Sequence, residues 1–462
     1  MEQRLNIRRL AWLAAFVPAV ALAVPQCPSA AQVQTAVTSP RQAGWIARAR
    51  QMYSMGNYQG CADQLRAAGR LTPAGQVLLA RAMLMMGDSD CLALARSIRQ
   101  AEGTAPAGVE ALMTEGDWYF FHGDYEQAGF CYSQLPDAAA KPLYAYRLGV
   151  SDLRRGAFAE GEALLQPLAA GNTSFRAPAQ FYLAWSDYAQ GRTRQALRAF
   201  EAVEPRLKAV NAAAAGIEGE FFPRYLEAGY YIAQIDFEQG RYAEAAARAE
   251  RMLGESVHDF QYAHELNRIA GESFFKLGRY KEADPCLKAY LDGCEPGESS
   301  PTAAYALGAI AYDDGRVELA RELLEPLASR TDITGQGASL LLGQMAADSG
   351  DFNAAALYFD KAWRNGGDRA VAERGMYNHI AALAQGASTP FASATELPEQ
   401  FLRTFPGSRY EAKVREILTQ AYYRDKDYRR ALENLDKIPR LTTQQQAVRQ
   451  LVLYELGVSE LS

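Results

Sequence analysis

Three aspartates raise the first chemical question. Asp152, Asp187 and Asp236 each stand four residues before a glycine, Gly156, Gly191 and Gly240. Paired carboxylates do acid–base work when held about 5 to 10 Å apart around a cleft, and residues repeated on successive elements can fall in that range. No set of sugar-binding loops accompanies them, so hydrogen bonding between neighbouring helices, or an acidic stripe, is the better account. His258 and His264, with Asp259 and Glu265 beside them, are the one close histidine pair. Six residues apart they do not share a helix face, and solvated helix ends explain them better than a metal site. The chain has no nucleophile elbow, P-loop, H-E-x-x-H or C-x-x-C. No catalytic residue, cofactor or metal is therefore expected.

The cysteines add little chemistry. Cys61, Cys91 and Cys131 fall in segments that want a small apolar residue and read as core thiols. Cys286 and Cys294 flank a helix end and the turn GCEPG, and are the pair to expect if a bridge forms in an oxidising compartment.

These residues are positioned by a repeat. Gly56, Gly87, Gly123, Gly156, Gly191, Gly240, Gly278, Gly315, Gly350 and, less clearly, Gly386 recur at roughly 35 residues, a period of stacked helical hairpins that cannot bury their apolar faces singly. The best copies open Gly-x-aromatic-x-x-Ala: HGDYEQA, QGRYAEA and LGRYKEA. Seven residues before the glycine stands another small residue (Gly116, Gly149, Ala184, Ala233, Gly271, Gly308, Gly343), which predicts close approach of the two helices of a hairpin. The turn glycine suits the left-handed residue that ends a helix, and the aromatic after it (Tyr125, Phe158, Tyr242, Tyr280, Phe352) can plug the hairpin mouth.

This pattern resembles the tetratricopeptide repeat. Leu148-Gly149, Leu307-Gly308 and Leu342-Gly343 match its L-G element, and Gly116 with Tyr119 and Gly271 with Phe274 match its small-then-aromatic element. The resemblance covers roughly residues 41–460 and implies an all-α solenoid of ten to eleven hairpins wound as a superhelix. The segment from Glu399, with Phe405-Pro406-Gly407-Ser408, a long helix and then Asp427-Tyr428-x-x-Ala431, is similar to repeats of bacterial envelope proteins that serve outer-membrane assembly and the Tol-Pal system. Such a resemblance implies a non-catalytic protein-interaction scaffold. Surface lipoproteins of the starch-uptake type also contain such repeats, which keeps a carbohydrate-binding or glycan-processing role as the alternative.

Departures from the period divide the chain. Gly191 and Gly240 are 49 residues apart, and the excess lies in Pro205 to Tyr225. The expected organisation is a signal peptide over 1–31, a first array over 41–205, an insertion or lengthened junction over 206–225, and a second array over 226–462. GASTP, from Gly386, is a degenerate turn, and Lys426 replaces the glycine in KDYRRA although Tyr428 and Ala431 keep register. The last helix reads either as a cap with its apolar face inward or, with Gly457 as the turn of an unfinished repeat, as a docking surface.

The ends and composition address the compartment. Arg4, Arg8 and Arg9 precede an apolar run from Leu10 to Val24, of signal-peptide length and short for a membrane span. Small-residue sites follow at Ala21-Leu22-Ala23 and Ser29-Ala30-Ala31, the second favoured; Cys27 follows Pro25-Gln26, which does not fit a lipid anchor. Export is expected, to the periplasm or the outer-membrane face, without a transmembrane segment in the mature chain. Residues 1–31 carry a net +2, so the remainder is −8 against −6 for the whole chain, and no electrostatic case for nucleic acid exists.

In the resembling repeats the first helix of each hairpin lines the concave wall. Positions three, six and ten before the turn glycine then face a partner. They read Phe120 and Met113; Tyr146 and Leu153; Phe181, Trp185 and Tyr188; Tyr230 and Phe237; Phe275; Tyr305 and Tyr312. The expected partner-binding set is Tyr146, Phe181, Trp185, Tyr188, Tyr230, Phe237, Tyr305 and Tyr312, against an envelope protein or peptide. An aromatic stripe at helical spacing can equally be core.

Overall fold

A computed structural model describes residues 40–213, 225–255, 260–295, 297–386 and 394–461. The leader with Cys27, most of the Pro205–Tyr225 stretch, His258, Asp259, all of GASTP but its glycine, and Ser462 lie outside the described residues. Within them all regular structure is helical, as the repeat predicts. No described helix is long and apolar enough to cross a membrane. The chain packs as two units, one ending at Ile235 and the other beginning at Asp236.

The first unit holds α1 (Pro40–Ser54), α2 (Tyr58–Ala67), α3 (Pro73–Met85), α4 (Asp90–Glu102), α5 (Pro106–Phe121), α6 (Tyr125–Ser133), α7 (Pro142–Arg154), α8 (Phe158–Ala170), α9 (Arg176–Ala189), α10 (Thr193–Ala213) and the larger part of α11 (Tyr225–Glu238). The second continues with α12 (Tyr242–Glu255), α13 (Ala263–Lys276), α14 (Tyr280–Asp292), α15 (Pro301–Asp313), α16 (Val317–Leu324), α17 (Ile333–Asp348), α18 (Phe352–Arg364), α19 (Arg369–Ala384), α20 (Glu396–Thr404), α21 (Glu411–Arg424), α22 (Tyr428–Leu435) and α23 (Thr443–Leu461). Helix α10 runs 21 residues, straight through Pro205.

One turn design closes the hairpins. At Gly191, φ is +75°, its N–H bonds to the Tyr188 carbonyl at 3.0 Å, and the Arg192 N–H reaches back to the Asp187 carbonyl at 2.8 Å. These two bonds satisfy carbonyls that the helix end leaves open. Lys426 adopts the same conformation, φ +62°, with the Asp427 N–H on the Tyr422 carbonyl at 2.9 Å. A Cβ in the left-handed region costs roughly 1 kcal/mol. Lys426→Gly should therefore stabilise the second unit by about 1 kcal/mol in urea unfolding; an unchanged or lower midpoint would show that the lysine side chain compensates.

The small residues do bring the helices together. A Cβ on Gly116 would lie 2.9 Å from the Tyr132 ring, on Gly149 2.9 Å from Leu165 Cγ, on Gly308 2.9 Å from Leu324, and on Gly343 2.6 Å from the Phe359 ring. Each pair is separated by 16 residues, nine of them beyond the turn glycine. The alanines Ala128, Ala196, Ala245, Ala283, Ala320 and Ala355 are all fully buried. Aromatics then meet across the turn: Tyr53 with Tyr58, Phe120 with Tyr125, Phe237 with Tyr242, Phe275 with Tyr280, and Tyr423 with Tyr428, at 5.3 to 5.7 Å between ring centres.

Of the two readings of the last helix, a turn at Gly457 is set aside: α23 continues through it to Leu461, and Leu451, Tyr454, Val458 and Leu461 are exposed. Cys286 and Cys294 are both thiols, not a bridge. Cys61, Cys91 and Cys131 are buried in the core.

Candidate partner-binding face

In the first unit the face centres on the first helices α7, α9 and α11. Trp185 is half-buried, and the Arg154 guanidinium sits 4.3 Å from its ring centre, with the Tyr182 and Tyr125 rings 5.5 and 5.9 Å away. A cation over an aromatic face is attracted by the ring quadrupole, and here it fixes the indole in place. Tyr188 and Tyr230 are also half-buried, and both lean on Tyr231 at 5.6 and 5.1 Å. Tyr231 is itself buried flat against Phe200 at 5.1 Å.

Two of the expected residues leave the set. Tyr146 is 2% exposed and Phe181 0%, so neither ring can meet a partner. Neighbouring helices cover them: Phe175 and Tyr182 of the next hairpin close over Tyr146 at 5.4 and 5.9 Å, while Phe200 of the same hairpin and Tyr231 of the next enclose Phe181 at 5.4 and 6.0 Å. Burial pushes the Tyr146 phenol well above its ordinary pKa. Phe120, Met113 and Leu153 are buried likewise.

In the second unit Phe237, Phe275, Tyr305 and Tyr312 are half-buried. The Arg268 guanidinium lies 5.4 Å from the Phe237 ring, and Phe275 contacts Tyr305 edge-on at 6.3 Å. The Tyr305 ring rests against the backbone at Gly337, where a Cβ would come within 2.9 Å. Tyr312 donates its hydroxyl to Asp348, which also accepts Gln344 Nε2 at 2.8 Å. Glu272 is buried, accepts the Ser300 hydroxyl at 2.7 Å and lies 3.7 Å from Arg268; burial raises its carboxyl above the usual range, with Arg268 opposing.

The three aspartates carry structure. Asp152 pairs with Arg155 at 2.9 Å, Asp187 with Arg192 at 2.6 Å, and Asp236 accepts Arg241 Nε at 2.9 Å. Arg192 also reaches Glu162 of the preceding hairpin at 2.8 Å, tying neighbours together. Burial alone would raise the Glu162 carboxyl, but hydrogen bonds from Ser186, Arg192 and Gln190 carry it below its usual range. For Asp152, burial outweighs Arg155 and the carboxyl is raised. No group of three or more metal-ligating side chains occurs among the described residues.

Sequence reading missed the charged partners. Arg154 and Arg268 stack on Trp185 and Phe237, and only their place on the same faces hinted at it. The buried pair Asp117–Arg147, 2.5 Å apart, joins residues 30 apart in sequence. Its signal was the two acids, Glu115 and Asp117, inside the otherwise largely apolar stretch LMTEGDWYFF.

No family model and no curated protein matches the sequence. Among solved structures, the chain is similar to a Rap protein complexed with competence and sporulation factor, at 14% identity over 73% of this chain and 100% of that one, TM-score 0.42. It is similar to the apo form of RapI at 12% identity, covering 70% and 96%, TM-score 0.43. Yeast Tom70 aligns at 11% identity over 91% and 96%, with a TM-score of 0.29.

Proposed function

We propose that this protein is a non-catalytic scaffold that binds an extended segment of another protein on the first-helix face of its first unit. One observation carries the reading: Trp185, Tyr188 and Tyr230 keep part of their rings in solvent while their own chain holds each ring still. Rigid, partly exposed aromatics offer contact area at small entropic loss, which is how interface hot spots arise. An extended peptide suits a row of such anchors on successive helices. The three aspartates are each taken up by an arginine, which favours a structural part for them over acid–base work. The basic, apolar N-terminus supports an exported protein, so the partner is sought in the bacterial cell envelope.

A photo-crosslinking residue placed at Tyr188 should trap a specific protein from envelope extract, and Trp185→Ala should abolish the product. The same probe at Phe130, an exposed aromatic of α6, should trap nothing. Equal products from both positions would remove the proposal.

A further inference from the structure

Outside that face, one pair of side chains is arranged for covalent chemistry. Cys294 follows the end of α14 and is half-buried. Its Sγ lies 3.5 Å from Nε2 of His264, near the start of α13, and donates to the Tyr290 carbonyl at 3.4 Å. The imidazole is held from two further sides. Its ring centre is 4.4 Å from that of Tyr290, and a Cβ on Gly293 would come 3.0 Å from Nδ1, so this turn receives the ring because it has a glycine there. Residues 290, 293 and 294 thus cradle one imidazole and aim it at one sulfur.

The other described thiols are set up differently. Cys61, Cys91 and Cys131 are buried, and burial pushes the thiols of Cys91 and Cys131 up to about 12. Cys286 is half-buried, and burial, then Glu250, raises its thiol. The other described histidines lie elsewhere: His122 stacks on Trp118 and His379 packs beside Trp363. A thiol becomes a nucleophile when an adjacent base takes its proton.

We propose that Cys294 and His264 form a reactive-thiol site that exchanges with small-molecule disulfides. In the exchange the Cys294 sulfur attacks one sulfur of R–S–S–R, a new S–S bond forms, and the reagent's S–S bond breaks. The proton taken up by His264 passes to the departing thiolate, so no other reactant is needed. Among the described groups near the pair are Tyr290 on α14, whose hydroxyl accepts the Ser300 N–H, and Glu265, next to His264 on α13, whose carboxylate is held by Arg268 at 2.8 Å. Glu295 follows Cys294 in the chain.

The test treats the full chain with hydroxyethyl disulfide and maps labelled peptides by mass spectrometry from about pH 6 to pH 9. Cys294 should be labelled first, at least about tenfold faster than Cys286 at pH 6, with a rate that changes little over this range. His264→Gln should slow labelling of Cys294 at pH 6 by about tenfold or more and leave it within about threefold at pH 9, where the thiol ionises unaided. Circular dichroism identifies a variant that has lost its fold. The wild-type profile decides independently of any variant: a Cys294 rate that falls about tenfold per pH unit below pH 8, as an ordinary thiol's does, or a Cys286 rate equal to it, would overturn the proposal.

Discussion

Asp117→Ala should destabilise the first unit by about 3–5 kcal/mol, the usual cost of removing one member of a buried ion pair. Asp117 Oδ1 accepts the Tyr132 hydroxyl at 2.7 Å and Arg147 Nη1 at 2.5 Å, and both charged side chains are only 6% exposed. Truncation takes the carboxylate from a guanidinium that water cannot reach, and takes the acceptor from a buried phenol. The cost lies in that desolvated remainder, so the pair itself need not be strongly stabilising. Arg147→Met should therefore cost a comparable amount alone, and combining it with Asp117→Ala should cost clearly less than the two changes summed. Urea unfolding of the four proteins measures the coupling. A loss below about 1 kcal/mol for Asp117→Ala would mean that water screens the pair after all.

Gly271→Ala should destabilise the second unit by about 1–3 kcal/mol, although alanine is the better helix former. Its Cβ would come 2.7 Å from Leu287 Cγ and 3.0 Å from the Leu287 backbone nitrogen. A side chain can rotate away, but the backbone of α14 moves only by separating the hairpin. Gly254→Ala is the matched control, since it also lies in a helix and a Cβ there meets nothing within 4 Å. That change should leave stability unchanged or slightly raised. Adding Leu287→Ala to Gly271→Ala should recover part of the lost helix approach while opening a cavity of its own. Equal thermal midpoints for the two glycine variants would refute the close-contact explanation.

The fold was legible because its determinants are local and repeated. A left-handed turn wants glycine, close helices want glycine or alanine, and both recur at fixed offsets through to Asp427-Tyr428, where Lys426 still takes the turn conformation. Gly457 left two readings open because a glycine tolerated within a helix looks the same in sequence as one that ends it. The binding face was half legible. Helical spacing tells which side of its own helix Phe181 occupies, but not how far Tyr231 of the next hairpin reaches across it. Trp185 and Tyr188 remain only half-buried because nothing described of the following hairpin covers them as fully. Asp117–Arg147 and Arg154–Trp185 are pairings across hairpins, and a single sequence carries no mark of which long side chains meet.

On the proposed function, partner binding runs through the aromatic face around Trp185. Peptides selected from a random library on the wild-type chain supply a direct measurement, the change in Kd on substitution. Trp185→Ala should weaken the best extended peptide by at least about tenfold, roughly 1.4 kcal/mol, with the thermal midpoint retained, while Phe130→Ala should leave Kd within about twofold. Undiminished affinity in the Trp185→Ala protein would contradict it.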